Sequence, residues 1–190
     1  MSSPHSGVFS RTENFAHPKG NVVTFGIDHG MKVADFGAGS GAYVMAIAEQ
    51  LGDSGTVYAI DVQKDLLRRI KNEAHAKHHK NVEIIWADLE VPGASMLADS
   101  SMHVVLISNL LFQLVDKRPP LVEAHRILRP KGKLIIIDWS ESFGGLGPIK
   151  DDVVPKEAAL ELARDAGFEF MKEIPVGAHH YGLLLRPSKD

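Results

Sequence analysis

Short apolar runs alternate along this chain with segments that are apolar on one side only. Val104–Ile107 is apolar at every position, which is typical of a strand covered on both faces. In Ala42–Leu51 the apolar residues recur every three or four positions, which predicts an amphipathic helix. The alternation of such runs predicts an α/β fold, with helices packed on both faces of a largely parallel sheet.

The remaining elements follow the same two patterns. Five strands are predicted in "KVADF", "GTVYAIDV" up to Asp61, "NVEIIWADLE" up to Asp88, "SMHVVLISN" and "RPKGKLIIIDW". Further helices are predicted around Leu66–Ala74, from Pro119 to Leu128, and from Pro155 to Gly167. The last two strands, "FEFMKEIPV" and "HHYGLLLR", have only a short connection between them. Because parallel neighbours need a long crossover, this pair is predicted to be antiparallel.

Composition restricts the classes of protein that fit. With 190 residues and 44% hydrophobic content, the chain is predicted to form a single domain over residues 1–190, with an N-terminal segment 1–30 and a core 31–186. A net charge of −3 gives no electrostatic case for nucleic acid, and we expect none as a partner. The absence of cysteine excludes disulfides, thiolate metal sites and cysteine nucleophiles. A polar N-terminus without an apolar run of membrane-spanning length predicts a cytoplasmic protein without a membrane span.

A glycine-rich turn follows the first strand in the stretch "VADFGAGSGAY". Gly37, Gly39 and Ala42 fit the dinucleotide fingerprint G-x-G-x-x-G/A, and Asp61 lies at a suitable distance for a ribose. Taken alone, this signal is weak, because glycines between a strand and a helix also serve close packing. The turn indicates a nucleotide-like ligand without identifying it.

Two features favour S-adenosylmethionine over NAD: the position of Asp35, and the far half of the chain with Asp88 and the closing antiparallel pair, neither of which a dinucleotide fold needs. Asp35 stands two residues before the first glycine, where it opposes a pyrophosphate but favours an ammonium and a sulfonium. Asp61 is then predicted to bind the ribose and Asp88 the adenine amino group. The methionine part is predicted to lie over Gly37–Gly41, with backbone N–H groups free for its carboxylate.

Five motifs in this order resemble those of class I S-adenosylmethionine-dependent methyltransferases: "VADFGAGSG", "YAIDV", "WADLE", "LISNLLFQL" and "LRPKGKLIIIDW". The likeness is greatest to the small-molecule branch of the ubiquinone/menaquinone-biosynthesis type. It implies a Rossmann-like, doubly wound, seven-stranded and mostly parallel sheet with a C-terminal antiparallel strand pair. It also implies that S-adenosylmethionine is the cofactor and S-adenosylhomocysteine the product. The predicted cofactor contacts are Asp35, Gly37, Ala38, Gly39, Ser40, Gly41, Asp61, Val62, Asp88, Leu89 and Asn109.

The acceptor side of the site is less defined. Methyl transfer from a sulfonium is an in-line displacement, so no catalytic base is assigned, and the acceptor-side candidates are Asn109, Phe112 and Gln113. Leu110 and Leu111 replace the Pro-Pro of enzymes that methylate amino groups of nucleic acids, which weakens that alternative. Many small-molecule methyltransferases carry histidine where Gln113 stands, so the acceptor type stays open. The two leucines are predicted to seal the core.

Other polar clusters invite different functions. His75, His78 and His79 have spacing that suits zinc, but no carboxylate or cysteine completes a motif, and no metal is predicted. His179 and His180 flank the last strand, where either one faces the pocket or both lie on a surface hairpin. The basic residues between the fourth helix and fifth strand are predicted to form a solvated face rather than an RNA site; they are Arg126, Arg129, Lys131 and Lys133.

The leading hypothesis is a methyltransferase acting on a small or lipophilic acceptor. A non-catalytic cofactor-binding module or partner subunit is the alternative, and an NAD-dependent oxidoreductase is third.

The N-terminal segment is predicted to contain a helix that starts at Pro18. This helix and the residues after it are predicted to bury Val22, Val23, Phe25 and Ile27 against the sheet. Residues 5–17 are predicted to form a lid over the cofactor. The identity of the acceptor and the oligomeric state are left open.

Overall fold

The computed structural model describes residues 17–145 and 147–189. Five helices lie within these ranges: α1 (Pro18–Thr24), α2 (Ala42–Leu51), α3 (Lys64–Ala76), α4 (Arg118–Ile127) and α5 (Lys156–Asp165). The strands in the same ranges are β1 (Lys32–Phe36), β2 (Thr56–Asp61), β3 (Val82–Trp86), β4 (Met102–Ser108), β5 (Leu128–Trp139), β6 (Phe168–Glu173) and β7 (His180–Pro187). Short 3₁₀ turns occupy Leu111–Gln113 and Lys150–Asp152.

The seven strands form one sheet in the order β3-β2-β1-β4-β5-β7-β6. The first five strands of this order pair in parallel, whereas β7 pairs antiparallel with both β5 and β6. This confirms the predicted Rossmann-like sheet and its antiparallel C-terminal pair. The chain order reverses between β1 and β4, and in open α/β sheets ligands bind at the carboxyl ends of strands at such a point.

Two hydrophobic layers enclose the sheet. Helices α1, α2 and α3 cover one face, and α4 and α5 cover the other. Residues Val104–Ile107 of β4 contribute alternately to the two layers, and none is more than 1% exposed. The prediction that this strand is covered on both faces is confirmed, and its end is therefore held rigidly beneath the cleft.

Two strand boundaries differ from those predicted. Strand β3 ends at Trp86 rather than Asp88, because the Ala87 N–H donates to the carbonyl of Asp61 and Asp88 then opens a turn closed by the Val91 N–H. The basic segment before the apolar part of β5 is itself extended, and its pairing with β4 shifts register between Met102 and Val104.

Helix α1 begins at Pro18, as predicted. Val22, Phe25 and Ile27 are buried, but Val23 is 70% exposed, because it lies on the outer side of this short helix. Within the predicted lid, residues 5–16 lie outside the described residues and only His17 is described. The lid stays a prediction.

Candidate active site

Two adjoining cavities open at the carboxyl ends of β1, β2 and β4. We call the one lined by Asp61, Val62, Asp88 and Leu89 the Asp61 arm, and its volume is about 390 Å³. The Asp35 arm, of about 260 Å³, is lined by Asp35, Ala38, Ser40 and Asn109. Gly37, Gly39 and Gln113 line both arms. Of the predicted cofactor contacts, only Gly41 lines neither arm. It sits at the start of α2 with φ of 82°, and a Cβ there would lie 2.6 Å from Ile70.

The glycine turn uses most of its backbone N–H groups within the protein. Those of Gly37 and Ala38 donate to the carbonyl of Ile60, at 2.9 and 3.0 Å, and that of Gly41 donates to Ala38. The Gly39 N–H donates to Asp61 Oδ2 at 2.9 Å. The expectation that these groups are free for a ligand carboxylate is therefore wrong. The N–H groups in the first turn of α2, which have no partner inside the helix, are the alternative donors.

Asp61 joins two turns through its carboxylate. It accepts from Gly39 N through Oδ2 and from Gln63 N through Oδ1, the second at 2.8 Å. A carboxylate has about four acceptor positions, so these bonds leave capacity for ribose hydroxyls. Asp61 thus fixes the shape of the Asp61 arm and lines it.

Asp35 lies at the base of its arm, only 2% exposed. Burial, reinforced by the negative charge of Asp61, raises the pKa of Asp35 to about 7. Removing a carboxylate from water is unfavourable unless an opposite charge compensates it. This arm therefore favours a ligand that carries a positive charge.

Asn109 has a strained conformation directly after β4. Its φ is 52°, a left-handed value that asparagine tolerates better than most residues. Its backbone N–H donates to Ile137 and its carbonyl accepts from Gln113 Nε2. Its side-chain Oδ1 is buried and has no hydrogen-bond partner among the described residues. Asn109 lines the Asp35 arm, so a ligand N–H or O–H donor would satisfy this oxygen.

The segment after β4 only partly matches the prediction. Gln113 stands where the arms meet, but Phe112 packs half-buried against the core on the α4 side. Leu111 is fully buried, as predicted, whereas Leu110 lines the Asp61 arm together with Leu114. The 3₁₀ turn causes this difference, because it directs neighbouring leucines to opposite environments.

Sequence reasoning missed several lining residues. Pro18, Tyr43 and Ser108 line the Asp35 arm, and Leu66 lines the Asp61 arm. The Tyr43 hydroxyl accepts a hydrogen bond of 2.9 Å from Asn21, which ties α2 to α1. Ser108 adjoins the predicted contact Asn109 in the sequence, whereas Leu66 and Tyr43 read as parts of amphipathic helices.

Asp138 is a further buried acid that the sequence reasoning passed over. Its carboxylate accepts from Leu111 N at 3.0 Å and from Trp139 N at 2.8 Å. Burial raises the pKa of Asp138 to about 6, against the effect of these hydrogen bonds. The sequence "LIIIDW" did contain a sign of this buried acid, because an aspartate stands near the end of an apolar strand there, as it does in β1 and β2. Asp138 anchors the 3₁₀ turn that carries Gln113.

The polar clusters outside the cleft have partners or lie apart from it. Arg126 forms ion pairs with Glu123 and Asp99. The other basic residues of that cluster line a cavity of about 430 Å³ at the amino ends of the strands; they are Arg129, Lys131 and Lys133. Within residues 17–145 and 147–189, no group of three metal-ligating side chains occurs, and no helix is long and apolar enough to cross a membrane.

Comparison with known proteins agrees with this geometry. Residues 27–170 match the family model described as a methyltransferase domain. The chain belongs to the class I S-adenosylmethionine-dependent methyltransferases. Its methyl donor is S-adenosylmethionine, as the motifs and the carboxylates Asp35, Asp61 and Asp88 predicted.

Relatives of this methyltransferase include quinone-biosynthesis proteins. It is 26% identical over 153 residues to the ubiquinone/menaquinone biosynthesis C-methyltransferase UbiE of Legionella pneumophila, covering 76% of this chain and 59% of that protein. It is 27% identical over 116 residues to a demethylmenaquinone methyltransferase of a Geobacillus species, covering 60% of this chain and 48% of that protein. The chain thus spans about half the length of these curated relatives.

Solved structures share the fold. A S-adenosylmethionine-dependent methyltransferase from Aquifex aeolicus superposes with a TM-score of 0.80 at 27% identity, covering 90% of this chain and 89% of that one. An arsenic(III) S-adenosylmethionine methyltransferase from Chlamydomonas reinhardtii has a TM-score of 0.67 at 23% identity, covering 85% and 64%. At 23% identity, the likeness to the arsenic(III) methyltransferase concerns the fold alone.

Gly37→Ala is expected to weaken cofactor binding in this methyltransferase. Gly37 has φ of 75°, and an added Cβ would lie 2.8 Å from Leu110 Cδ1, displacing that side chain from its place in the Asp61 arm. Calorimetry should show S-adenosylhomocysteine affinity reduced by about tenfold or more, equivalent to about 1.4 kcal/mol.

Gly30→Ala is the matched control for backbone strain. Gly30 has a similar φ of 79°, but its Cβ would meet nothing closer than Ser54 Oγ at 3.7 Å. Both variants should lose about 1–2 kcal/mol of stability. Equal loss of cofactor affinity in both would show that Gly37 matters only for the backbone conformation.

Proposed function

We propose that this methyltransferase transfers the methyl group to a small, lipophilic acceptor with a hydroxylated ring, of the quinol class. The observation that carries the cofactor half of this proposal is the buried Asp35, whose arm favours a cation. S-adenosylmethionine supplies an electrophilic methyl group on a sulfonium, together with an ammonium that suits this arm.

The remaining groups of the cofactor match the cleft in the same order. Asp61 has acceptor capacity for the ribose hydroxyls beyond its two backbone bonds. Asp88 is exposed on the wall of the Asp61 arm, where it can accept from the adenine amino group. The N–H groups at the start of α2 suit the carboxylate of the methionine part. A cofactor held by these residues would present its methyl group at the end of β4, beside Asn109.

The acceptor class follows from two lines of support. The named relatives are quinone-biosynthesis methyltransferases, and a partial match to them favours a related acceptor. Leu110 and Leu114 add apolar surface to the cleft beside Gln113. An apolar wall with few polar groups is typical of a site that binds a lipophilic ring.

The residues of the cleft act by holding donor and acceptor in line. Such positioning is worth about 7–11 kcal/mol for well-oriented reactants. Asn109 Oδ1 and the Gln113 side chain are the polar groups closest to the proposed transfer point, and they orient the reactants by hydrogen bonding. Leu110 and Leu114 exclude water from the same region.

A panel of acceptors with S-adenosylmethionine labelled in its methyl group tests the proposal. We expect label to enter a reduced alkyl-benzoquinol and S-adenosylhomocysteine to accumulate in equal amount. Calorimetry should show binding of S-adenosylhomocysteine and none of NAD. Cofactor binding without transfer to any acceptor on the panel would favour the non-catalytic binding module instead.

A further inference from the structure

The cavity at the amino ends of the strands lies at the end of the sheet opposite to the cofactor cleft. We call it the amino-end cavity; it measures about 430 Å³ and opens between the start of β4 and the first residues of β5. Among the described residues, none that lines it also lines either arm of the cleft. His103 lines this cavity and Asn109 lines the Asp35 arm, and six residues of extended chain at about 3.3 Å each place them about 20 Å apart. A ligand in the amino-end cavity is therefore separate from the methyl donor.

An irregular pairing of β4 with β5 creates this cavity. The register shifts between Met102 and Val104, so that His103 alone stands opposite the four residues Arg129–Gly132. Extra residues in one strand make it bend away from its partner. The bend leaves an opening beside β4, and His103 and Arg129 face each other across it.

Apolar and positively charged groups line the amino-end cavity together. Met31, Val104 and Pro130 give it apolar surface, and Val104 is only 1% exposed. Arg129 and Lys131 are exposed lining residues. Within residues 17–145 and 147–189, neither of these two cations forms an ion pair with a carboxylate. Such a lining suits a ligand that has an anionic group and an apolar part.

The ring of His103 faces hydrogen-bond donors on both sides. Its Nδ1 accepts from the Lys32 N–H at 2.9 Å, so the hydrogen of the neutral imidazole is on Nε2. Arg129 Nη1 lies 2.7 Å from this Nε2, and a guanidinium has no acceptor atom. Two donors therefore meet at the cavity without an acceptor between them.

The charges that act on His103 add to this mismatch. Burial lowers the pKa of His103, and the positive charges of Arg129 and Lys32 act in the same direction, so the imidazole is neutral at pH 7. An anion that accepts from Nε2–H and from the guanidinium would satisfy both donors and compensate the positive charge. The Arg129 side chain is exposed and can turn to share such an anion with His103.

We propose that the amino-end cavity binds an amphipathic carboxylic acid, with the carboxylate on His103 and Arg129. The aliphatic chain of the acid lies on Met31, Val104 and Pro130. A carboxylate has two oxygens and one charge, which match the two facing donors. A phosphate dianion would bring more oxygens and more charge into a largely apolar cavity, which is unfavourable. This site is independent of the proposed function, because it lies away from the cleft.

Octanoate is the probe for this site, in a titration of the full-length protein followed by NMR. The resonances of His103 and Met31 should shift, with a Kd at least about tenfold lower than for acetate, because acetate has no chain to bury. Octylammonium has the same chain and the opposite charge and should not bind. Inorganic phosphate should bind more weakly than octanoate. Phosphatidylserine vesicles should not displace octanoate, because their acyl chains stay in the bilayer.

The variant Arg129→Gln tests the carboxylate contact. The new side-chain oxygen can accept from His103 Nε2–H, so the anion loses both the charge and one donor. Octanoate affinity should fall by about tenfold or more. The control is Arg69→Gln, which removes the same charge from an exposed position on α3 that lines neither this cavity nor the cleft. It should bind octanoate as the parent does, and both variants should keep the parental affinity for S-adenosylhomocysteine.

Several outcomes would overturn the assignment. Equal losses in the two arginine variants would show attraction to net charge alone. An unchanged octanoate affinity in Arg129→Gln, or acetate or phosphate binding as tightly as octanoate, would remove the case for the two donors or for the chain. Displacement by vesicles would assign the surface to a bilayer, and shifts at Gly39 and Gln113 instead would place the acid in the cofactor cleft. The panel of methyl acceptors tests the proposed function separately from all of these results.

Discussion

Replacing Asp35 by asparagine is expected to stabilise the unliganded protein and to weaken its binding of cofactor. The pKa of Asp35 is raised from 3.8 in its ordinary state to about 7 in the fold, so the native state holds this proton more tightly than the unfolded chain does. The contribution of Asp35 to the free energy of unfolding therefore falls as pH rises from about 4 to 7, and it is lowest above pH 7. At pH 8, Asp35→Asn should unfold with a free energy about 2–4 kcal/mol higher than the parent, and the difference should vanish towards pH 4.

The same substitution should act oppositely on binding. Without a negative charge opposite the ammonium and sulfonium, S-adenosylmethionine should bind about 1.5–3 kcal/mol more weakly at pH 8. In the parent, affinity should decline as pH falls through 7, because a proton must leave Asp35 when the cation binds. Calorimetry at pH 6, 7 and 8, beside urea unfolding at the same pH values, measures both effects. An unchanged affinity in Asp35→Asn, or an equal pH dependence in both proteins, would contradict the role given to Asp35.

Asp61→Ala is expected to damage the cleft and the fold together. The substitution leaves the N–H groups of Gly39 and Gln63 without their acceptor and removes the predicted ribose contact. Both N–H groups are only partly buried and can turn to water, so the loss of stability should be about 1–2 kcal/mol. Cofactor affinity should fall further than in any other variant of the cleft, since the arm loses both shape and contact.

Asp88→Ala provides the comparison for Asp61→Ala. Asp88 is exposed, and its carboxylate accepts only from Glu90 N among the bonds of the described chain, at 3.0 Å. Its removal should weaken S-adenosylhomocysteine binding with little change in the melting temperature. Thermal denaturation with and without S-adenosylhomocysteine measures both quantities on one sample. If Asp61→Ala melts like the parent and binds normally, Asp61 neither supports the turns nor contacts the ribose.

The sequence predicted the strands and their ends better than it predicted the hydrogen bonds between them. Val104–Ile107 could be assigned to a central strand because uninterrupted apolar residues require cover on both faces. Acids at strand ends then meet at one edge of the sheet. For Asp61, the sequence predicted a ribose contact but not its bonds to the backbone. In the structure, Gln63 occupies the N-cap of α3, and Asp61 bonds to its backbone.

What escaped the sequence depends on contacts between distant segments. The Gly37 and Ala38 N–H groups looked free because their acceptor, Ile60, belongs to another strand. Leu110 and Leu111 have the same hydropathy, and only the turn anchored by Asp138 decides which of them faces the cleft. The contact of 3.0 Å between His180 Nδ1 and the carbonyl of Ala178 likewise depends on a loop that no periodicity reveals.

The position of β7 between β5 and β6 also bears on how this chain reaches its native state. During synthesis β7 leaves the ribosome after every other strand, yet it supplies the partner for both of its neighbours. Until then one side of β5 has unpaired backbone groups beside the apolar residues Leu134–Ile137, an arrangement that invites association between nascent chains. The sheet therefore closes last at β7, where both neighbouring strands gain their partner. Addition of β7, rather than formation of the glycine turn, is the step that completes the sheet.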